Sequence, residues 1–327
     1  MSEHVTVKDI ANAASALAGI IVRTPLLPAP WLAEQVSGEV RLKCENLQRA
    51  GAFKIRGAYT MMSRLPVEAR ERGVIAFSSG NHAQGVALAA KLFGVPCVVV
   101  MPTTAPAVKV EGAKSLGAEV ILEGTTSIQR QRRAEQEAAA RGLAIIPAFD
   151  HSDIIAGQGT VGAEILEDWP QVEQILVPIG GGGLVSGVAA WVKATRADVA
   201  VIGVEPETAN AMKLSVAAGE PVTIQPSATI ADGLMPVRPG DLTFAHCRDL
   251  VDDIVLVSDD QILDATRLLL ARGKLIVEFS GAATLAALLS GEVARDRRTA
   301  VVLSGGNLDP VRALSLMQPR QEAAVIA

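Results

Sequence analysis

Aromatic side chains are scarce in this chain of 327 residues, only 3% of the total, with a single tyrosine among them. A β-sandwich built around large rings is therefore disfavoured, and layers packed from small aliphatic side chains are expected. Cysteine is nearly absent too. Cys44, Cys97 and Cys247 are odd in number, far apart and free of any Cys-x-x-Cys or His pairing. That supports neither a disulfide framework nor a zinc site, and it fits a reducing compartment. Basic runs are missing apart from Arg130-Gln131-Arg132-Arg133, and the net charge is -5, so nucleic acid is not an expected partner. No apolar run approaches the ~20 residues of a membrane span. The start of the chain lacks the basic-then-apolar order of a secretory signal. The expectation is a cytoplasmic protein with no membrane partner.

What is present is aliphatic. Ala, Val, Ile, Leu and Gly dominate, hydrophobic residues reach 49%, and the length suits two domains of ordinary size. Apolar runs of strand length recur between helical patterns, the signature of parallel βαβ units. They predict strands near 74–79, 96–101, 119–123, 144–148, 174–179, 199–204, 253–257 and 299–304. A helix over 82–93 closes at Gly94, and another over 127–141 closes at Gly142. The stretch from about 207 to 243, with four prolines, reads as a loop-rich excursion over a site. The fold class is α/β, with units on either side of about residue 150 forming two mainly parallel sheets. A ligand is expected in the cleft at the carboxyl ends of their strands.

Three strand ends carry small polar or glycine residues. After the apolar run 175–179 come Gly180, Gly181, Gly182 and Gly183, followed by a helical pattern. Successive glycine N–H groups at a helix start form an anion site. Phosphate is the favoured ligand; a dinucleotide is the rival, with Glu205 near the place of a ribose-binding acid. The second strand end is Phe77-Ser78-Ser79-Gly80-Asn81-His82, where a helix N-terminus could receive a carboxylate or simply be capped. The third is Leu303-Ser304-Gly305-Gly306-Asn307. Lys54, between Phe53 and Ile55 and followed by Gly57-Ala58, could be partly buried. Burial lowers an amine's pKa toward the nucleophilic neutral form.

Taken together, these motifs resemble the fold type II pyridoxal-phosphate enzymes, specifically the threonine/serine dehydratase and serine racemase group. The resemblance runs from Lys43-Cys44-Glu45-Asn46 through Phe53-Lys54-Ile55-Arg56-Gly57, Ser79-Gly80-Asn81-His82 and Gly157-Gln158-Gly159 to the four glycines and Ser304-Gly305-Gly306-Asn307. It implies a large cofactor-binding domain of residues 1–60 and 150–327, a small domain of 61–149, and the active site between them. Pyridoxal 5'-phosphate is the implied cofactor, with Lys54 as the Schiff-base residue that later takes the substrate's Cα proton. Phe53 packs on the ring, Asn81 bonds its phenolic oxygen, Gly180 to Gly183 hold the phosphate, and Ser304 faces the ring nitrogen. Ser78, Ser79, Asn81 and His82 cradle the substrate carboxylate. Homodimers are usual in the group.

The group's reaction here is α,β-elimination from an L-β-hydroxy amino acid, giving a 2-oxo acid and ammonia. Threonine or serine is the default substrate, with phenylserine, hydroxyaspartate or a hydroxyectoine-derived compound as bulkier options. Serine racemase is the alternative, because Ser79 holds the position of the racemases' second acid/base. The racemase-like metal site keeps Glu205 and Ala209 but has Ala211 in place of its second acid, so no metal is expected. Ala52 stands where the group has serine. The short stretch after Asn307 suits a catabolic enzyme without the regulatory domain of feedback-controlled deaminases. An oxidoreductase using a dinucleotide, or a silent binding protein, are the readings outside this group.

Overall fold

The computed structural model describes residues 4–78, 80–105, 107–226 and 228–316. Among the described residues ten strands form two sheets. The larger contains β1 (Leu26–Pro28), β2 (Val40–Cys44), β7 (Gln174–Pro178), β8 (Ala200–Pro206), β9 (Asp253–Val257) and β10 (Thr299–Leu303), in the order β1-β2-β10-β7-β8-β9. Its pairs are parallel except β1 with β2. The smaller contains β3 (Val74–Phe77), β4 (Cys97–Met101), β5 (Glu119–Leu122) and β6 (Ala144–Ile145), all parallel in the order β5-β4-β3-β6.

The eight predicted strands appear, six with shorter ends, β9 as expected and β8 running on to Pro206, whereas β1 and β2 were not foreseen. Parallel strands covered on both faces read as continuous apolar runs, and β7 and β10 are buried throughout. β2 breaks that pattern with Arg41 and Lys43. Arg41 stacks its guanidinium 4.3 Å from the Trp169 ring centroid, and Lys43 is fully buried in an ion pair with Glu164. The helix Asn81–Phe93 stops at Gly94 and the helix Ser127–Arg141 at Gly142, both in the left-handed conformation that favours glycine at this position. The excursion after 207 is more ordered than expected. Residues Ala211–Ala218 are helical, capped by Gly219, before the proline-rich run.

Lys54 opens the helix Lys54–Arg64, which packs against the helices Asn81–Phe93 and Ser152–Asp168. Approach is close because Gly157 faces the Lys54 helix backbone; a Cβ there would lie 2.5 Å from the Arg56 carbonyl oxygen. Two residues after Lys54, the Arg56 guanidinium is fully buried between two carboxylates. It donates to Glu45 at 2.8 and 2.7 Å and to Glu164 at 2.7 and 2.9 Å. With Lys43 on Glu164 the quartet is electrically neutral, the condition under which buried charge is tolerated. It ties the Lys54 helix to β2 and to the helix Ser152–Asp168. Among the described residues, no helix is long and apolar enough to cross a membrane.

Candidate active site

Two segments 250 residues apart in sequence meet around Lys54. Ala52 bridges Gly305 in antiparallel fashion. The Phe53 N–H donates to the Ser304 carbonyl at 3.1 Å, and the Gly306 N–H to that of Gly51 at 2.8 Å. The turn before Lys54 is thus laid along the end of β10, and Ser304 is buried beside it. Lys54 Nζ donates to the Ala148 carbonyl at 2.9 Å and lies 5.0 Å from the Phe53 ring centroid. Loss of water around the ammonium lowers its pKa to about 8, against an opposing pull from the Glu278 carboxylate. Its place at a helix start works in the same direction, since the positive end of the helix dipole disfavours a cation.

The four glycines connect β7 to the helix Gly183–Thr195. Gly182 has φ 97°, a conformation costly for any residue with a Cβ. The Ser186 N–H donates to the Gly182 carbonyl at 2.9 Å, so the N–H groups of Gly183 to Val185 come before the helix's own bonding begins. A Cβ on Gly181 would overlap the Phe149 ring. Thr243 Oγ1 pins the turn by donating to the Gly181 carbonyl at 2.7 Å. Thr243 is held in turn by Asp150, whose carboxylate accepts from the N–H groups of Asp241, Leu242 and Thr243 at 3.0, 3.0 and 3.1 Å. The result is a narrow, fixed cradle of donors that suits a phosphate.

The Asn81 carboxamide stands at the start of its helix, donating from Nδ2 to Glu278 and accepting from Asn307 Nδ2 at 2.8 Å. Glu278 is buried, and burial, reinforced by the nearby Asp232 carboxylate, raises its pKa to about 7; Lys109, Asn81 and Lys54 oppose the rise. Lys109 forms an ion pair with Asp232. Its Nζ comes within 3.3 Å of where a Cβ on Gly80 would lie, so it covers the turn below. Ser78 is fixed at both ends: its N–H donates to the Val100 carbonyl at 3.0 Å, and its Oγ accepts from Gly80 N–H at 3.2 Å. Ser79 lies outside the described residues.

His82 is placed differently from a side chain that faces substrate. Its ring is buried, with Nε2 2.8 Å from the Ile146 carbonyl. A carbonyl only accepts, so Nε2 carries the hydrogen. Burial and the Lys54 charge push its pKa down to about 3. The imidazole is a neutral anchor between its helix and the residue that follows β6, and what His82 offers the turn is its backbone N–H.

Glu205 is likewise occupied. Its two oxygens accept from Met212 and Lys213 N–H at 2.9 Å each, capping the helix Ala211–Ala218. This engages the acid considered for a ribose or a metal, while Ala209 donates its N–H to the Pro206 carbonyl at 3.0 Å. Among the described residues no group of three or more His, Cys, Asp or Glu is gathered for a metal.

Glu278, Lys109, Asp232 and Thr243 were not singled out from sequence as site residues. Only Glu278 left a local signal: an isolated acid in Leu275-Ile276-Val277-Glu278-Phe279, just before an apolar helix.

The residues present fit pyridoxal phosphate: a desolvated lysine, a donor cradle for a phosphate, and a carboxamide and a buried hydroxyl at the intervening strand ends. The pyridoxal-phosphate dependent enzyme family matches residues 17–305. The chain is 43% identical over 305 residues to an L-threonine ammonia-lyase of Thermotoga maritima, covering 93% of this chain and 76% of that protein. It is 40% identical over 322 residues to an L-threo-3-hydroxyaspartate ammonia-lyase of Saccharomyces cerevisiae, covering 98% and 99%. The structure of maize serine racemase superposes with a TM-score of 0.93 at 39% identity, covering 96% of this chain and 97% of that one. The chain belongs to the pyridoxal-phosphate dependent enzymes, with the type II fold.

Proposed function

We propose that the protein is an ammonia-lyase that converts an L-β-hydroxy amino acid, of the threonine and serine class, into a 2-oxo acid and ammonia. The observation that carries this reading is Lys54, an amine with its pKa brought to about 8, set between the Ser304 strand end and the Asn81 turn. Similarity to named ammonia-lyases at about 40% identity supports it. The L-threo-3-hydroxyaspartate enzymes among the relatives keep an acidic side chain open as a substrate feature.

Pyridoxal phosphate supplies the electron sink that makes the substrate's Cα–H acidic. The chain's residues do the rest. Backbone N–H groups of Gly180 to Gly183 would hold the phosphate, the Phe53 ring would pack beside the cofactor, Asn81 would donate to its ring oxygen, and Ser304 would serve its ring nitrogen. The helix start at Asn81 and His82, with Ser78, receives the substrate carboxylate; His82 contributes through its N–H. Neutral Lys54 Nζ takes the Cα proton, and the pKa near 8 leaves an appreciable neutral fraction at cellular pH. No metal enters the reading.

We take residues 1–60 with 150–327 as the large domain and 61–149 as the small one, with the site in the cleft. A cytoplasmic location accords with three free, buried cysteines whose thiol pKa values burial pushes up to about 12. A homodimer is the assembly that the family resemblance implies, and light scattering tests it. Serine racemisation is a second reading, favoured by the likeness to maize serine racemase and by Ser79. A panel of β-hydroxy amino acids assayed for ammonia and 2-oxo acid, with chiral analysis of residual serine, decides between them. No product from any member, with the cofactor loaded, sinks the lyase assignment.

A further inference from the structure

The Asn81 carboxamide is held by side chains from two distant parts of the chain, Asn307 on its oxygen and Glu278 on its nitrogen. Which end of an amide faces which neighbour depends on the partners, because the oxygen only accepts and the nitrogen only donates. The deciding partner is the Ala50 carbonyl, which takes a hydrogen bond from Asn307 Nδ2 at 2.9 Å. A carbonyl cannot donate, so Asn307 must turn its nitrogen this way. The second hydrogen on that nitrogen then meets Asn81, which must answer with Oδ1. Asn81 Nδ2 is thereby turned toward Glu278, with one hydrogen bonded there and one remaining.

The backbone keeps Asn307 in place. Ala50 adopts φ 60° and ψ 17°, left-handed values uncommon for a residue with a Cβ. Gly51 follows at φ 70°, and a Cβ on it would overlap the Asn307 carboxamide. The Gly306 N–H bond to Gly51 locks the two loops at 2.8 Å.

We propose that Asn307 is a positioning residue, fixing the Asn81 carboxamide so that it can serve the cofactor's ring oxygen only as a donor. This rests on the Asn81 role assigned above. A ring oxygen that meets a donor is favoured in its deprotonated form, whereas one that meets an acceptor keeps its proton to share. Asn307 therefore governs the protonation of a chromophore it does not touch.

The experiment compares absorbance spectra of wild-type, Asn307→Asp and Asn307→Ala proteins loaded with pyridoxal phosphate at neutral pH, with circular dichroism to verify folding. An ionised aspartate only accepts, so Asn81 turns its nitrogen to it and its oxygen to Glu278 and the cleft, with Glu278, whose pKa burial brings to about 7, holding the proton that it then donates. The ratio of visible to near-ultraviolet absorbance then falls about five-fold or more, the population effect of exchanging one hydrogen bond. In Asn307→Ala only Glu278 orients the amide, and its protonated fraction at neutral pH admits the flipped form, so the fall is smaller, in the same direction. The inference is overturned if folded, loaded Asn307→Asp keeps the wild-type ratio or, where that variant does not fold, if Asn307→Ala keeps it. If the wild type itself takes up no cofactor, the functional reading fails and this inference falls with it. A loaded wild type with unchanged variants removes this inference alone.

Discussion

Arg56→Met should destabilise the protein severely at neutral pH and much less in mild acid. The wild-type guanidinium makes four hydrogen bonds to Glu45 and Glu164 with no exposure to solvent. Methionine fills much of the volume but leaves two buried carboxylates with only Lys43 as counter-ion, a change from neutral to one net negative charge. Breaking a buried pair from one side costs about 3–5 kcal/mol, a large share of a total that is typically about 5–15 kcal/mol. For a chain of this size that lowers the melting temperature by on the order of 10 °C. The pH dependence follows from Glu45. In the wild type, burial raises its pKa but Arg56, Lys43 and Thr24 outweigh burial and leave it below 4.5. Its stabilising contribution is therefore present above pH 4.5 and lost as pH falls through the folded value. In Arg56→Met the chief opposing charge is gone and burial dominates, so the folded pKa rises above the unfolded one. The penalty is then largest at neutral pH and shrinks as acid protonates the carboxyl. Thermal melts of the two apoproteins at about pH 7.5 and about pH 5 test this. A melting temperature within about 2 °C of wild type at neutral pH, or a gap that widens in acid, refutes the reasoning.

Other outcomes are specific enough to fail. Gly181→Val should weaken retention of pyridoxal phosphate at least about ten-fold, since its side chain overlaps Phe149 and must open the cradle; equilibrium dialysis measures it. Lys54→Ala should abolish the visible band of the loaded protein and reduce ammonia release about a thousand-fold or more. Asp232→Asn should lower the pKa of Glu278 and Lys109→Met should raise it, because Asp232 pushes that value up and Lys109 pulls it down. Infrared difference spectra of the Glu278 carboxyl across pH 5 to pH 9 read both directions, and shifts of the same sign in the two variants would count against the charge arrangement. His82→Gln should leave the pH–rate profile without a lost limb, because His82 is already neutral at every pH above about 3.

Eight strands were legible because strands covered by helices on both faces need largely apolar side chains, and that requirement is written locally. β2 was not, because Val40-Arg41-Leu42-Lys43-Cys44 is an interior strand whose charges are satisfied by Trp169 and Glu164, far along the chain. The site divides on the same line. Gly180 to Gly183, Ser304 and Asn81 stand at strand-to-helix junctions, where a cradle of N–H groups must be built from short, adjacent residues. Glu278 offers only an isolated acid before an apolar helix, which does not say what it does: its raised pKa comes from burial and from Asp232, and its bond to Asn81 spans 197 residues. His82 shows the limit from the other side. Its position in the turn suggests a substrate contact, and only the carbonyl of Ile146, just past β6 and 64 residues away, shows that its ring is an anchor, which leaves its N–H for the turn.

Seen as chemistry, the site separates groups that must move protons from groups that must not. Lys54 near 8 and Glu278 near 7 are a buried base and acid with pKa values brought close together by loss of water, each charge favouring the ionised form of the other. His82, near 3, and Glu45, held below its usual value by Arg56, are locked in single protonation states at neutral pH. Glu45 anchors the Lys54 helix through Arg56, and His82 anchors the Asn81 helix to the Ile146 carbonyl, so both steady the elements that carry the adjustable groups. On the proposed function, a scaffold that fixes charge where it supports and leaves it adjustable where substrate would react suits proton abstraction from Cα, and it is the reason that Arg56, which need never meet the substrate, is expected to matter as much for folding as Lys54 is proposed to matter for turnover.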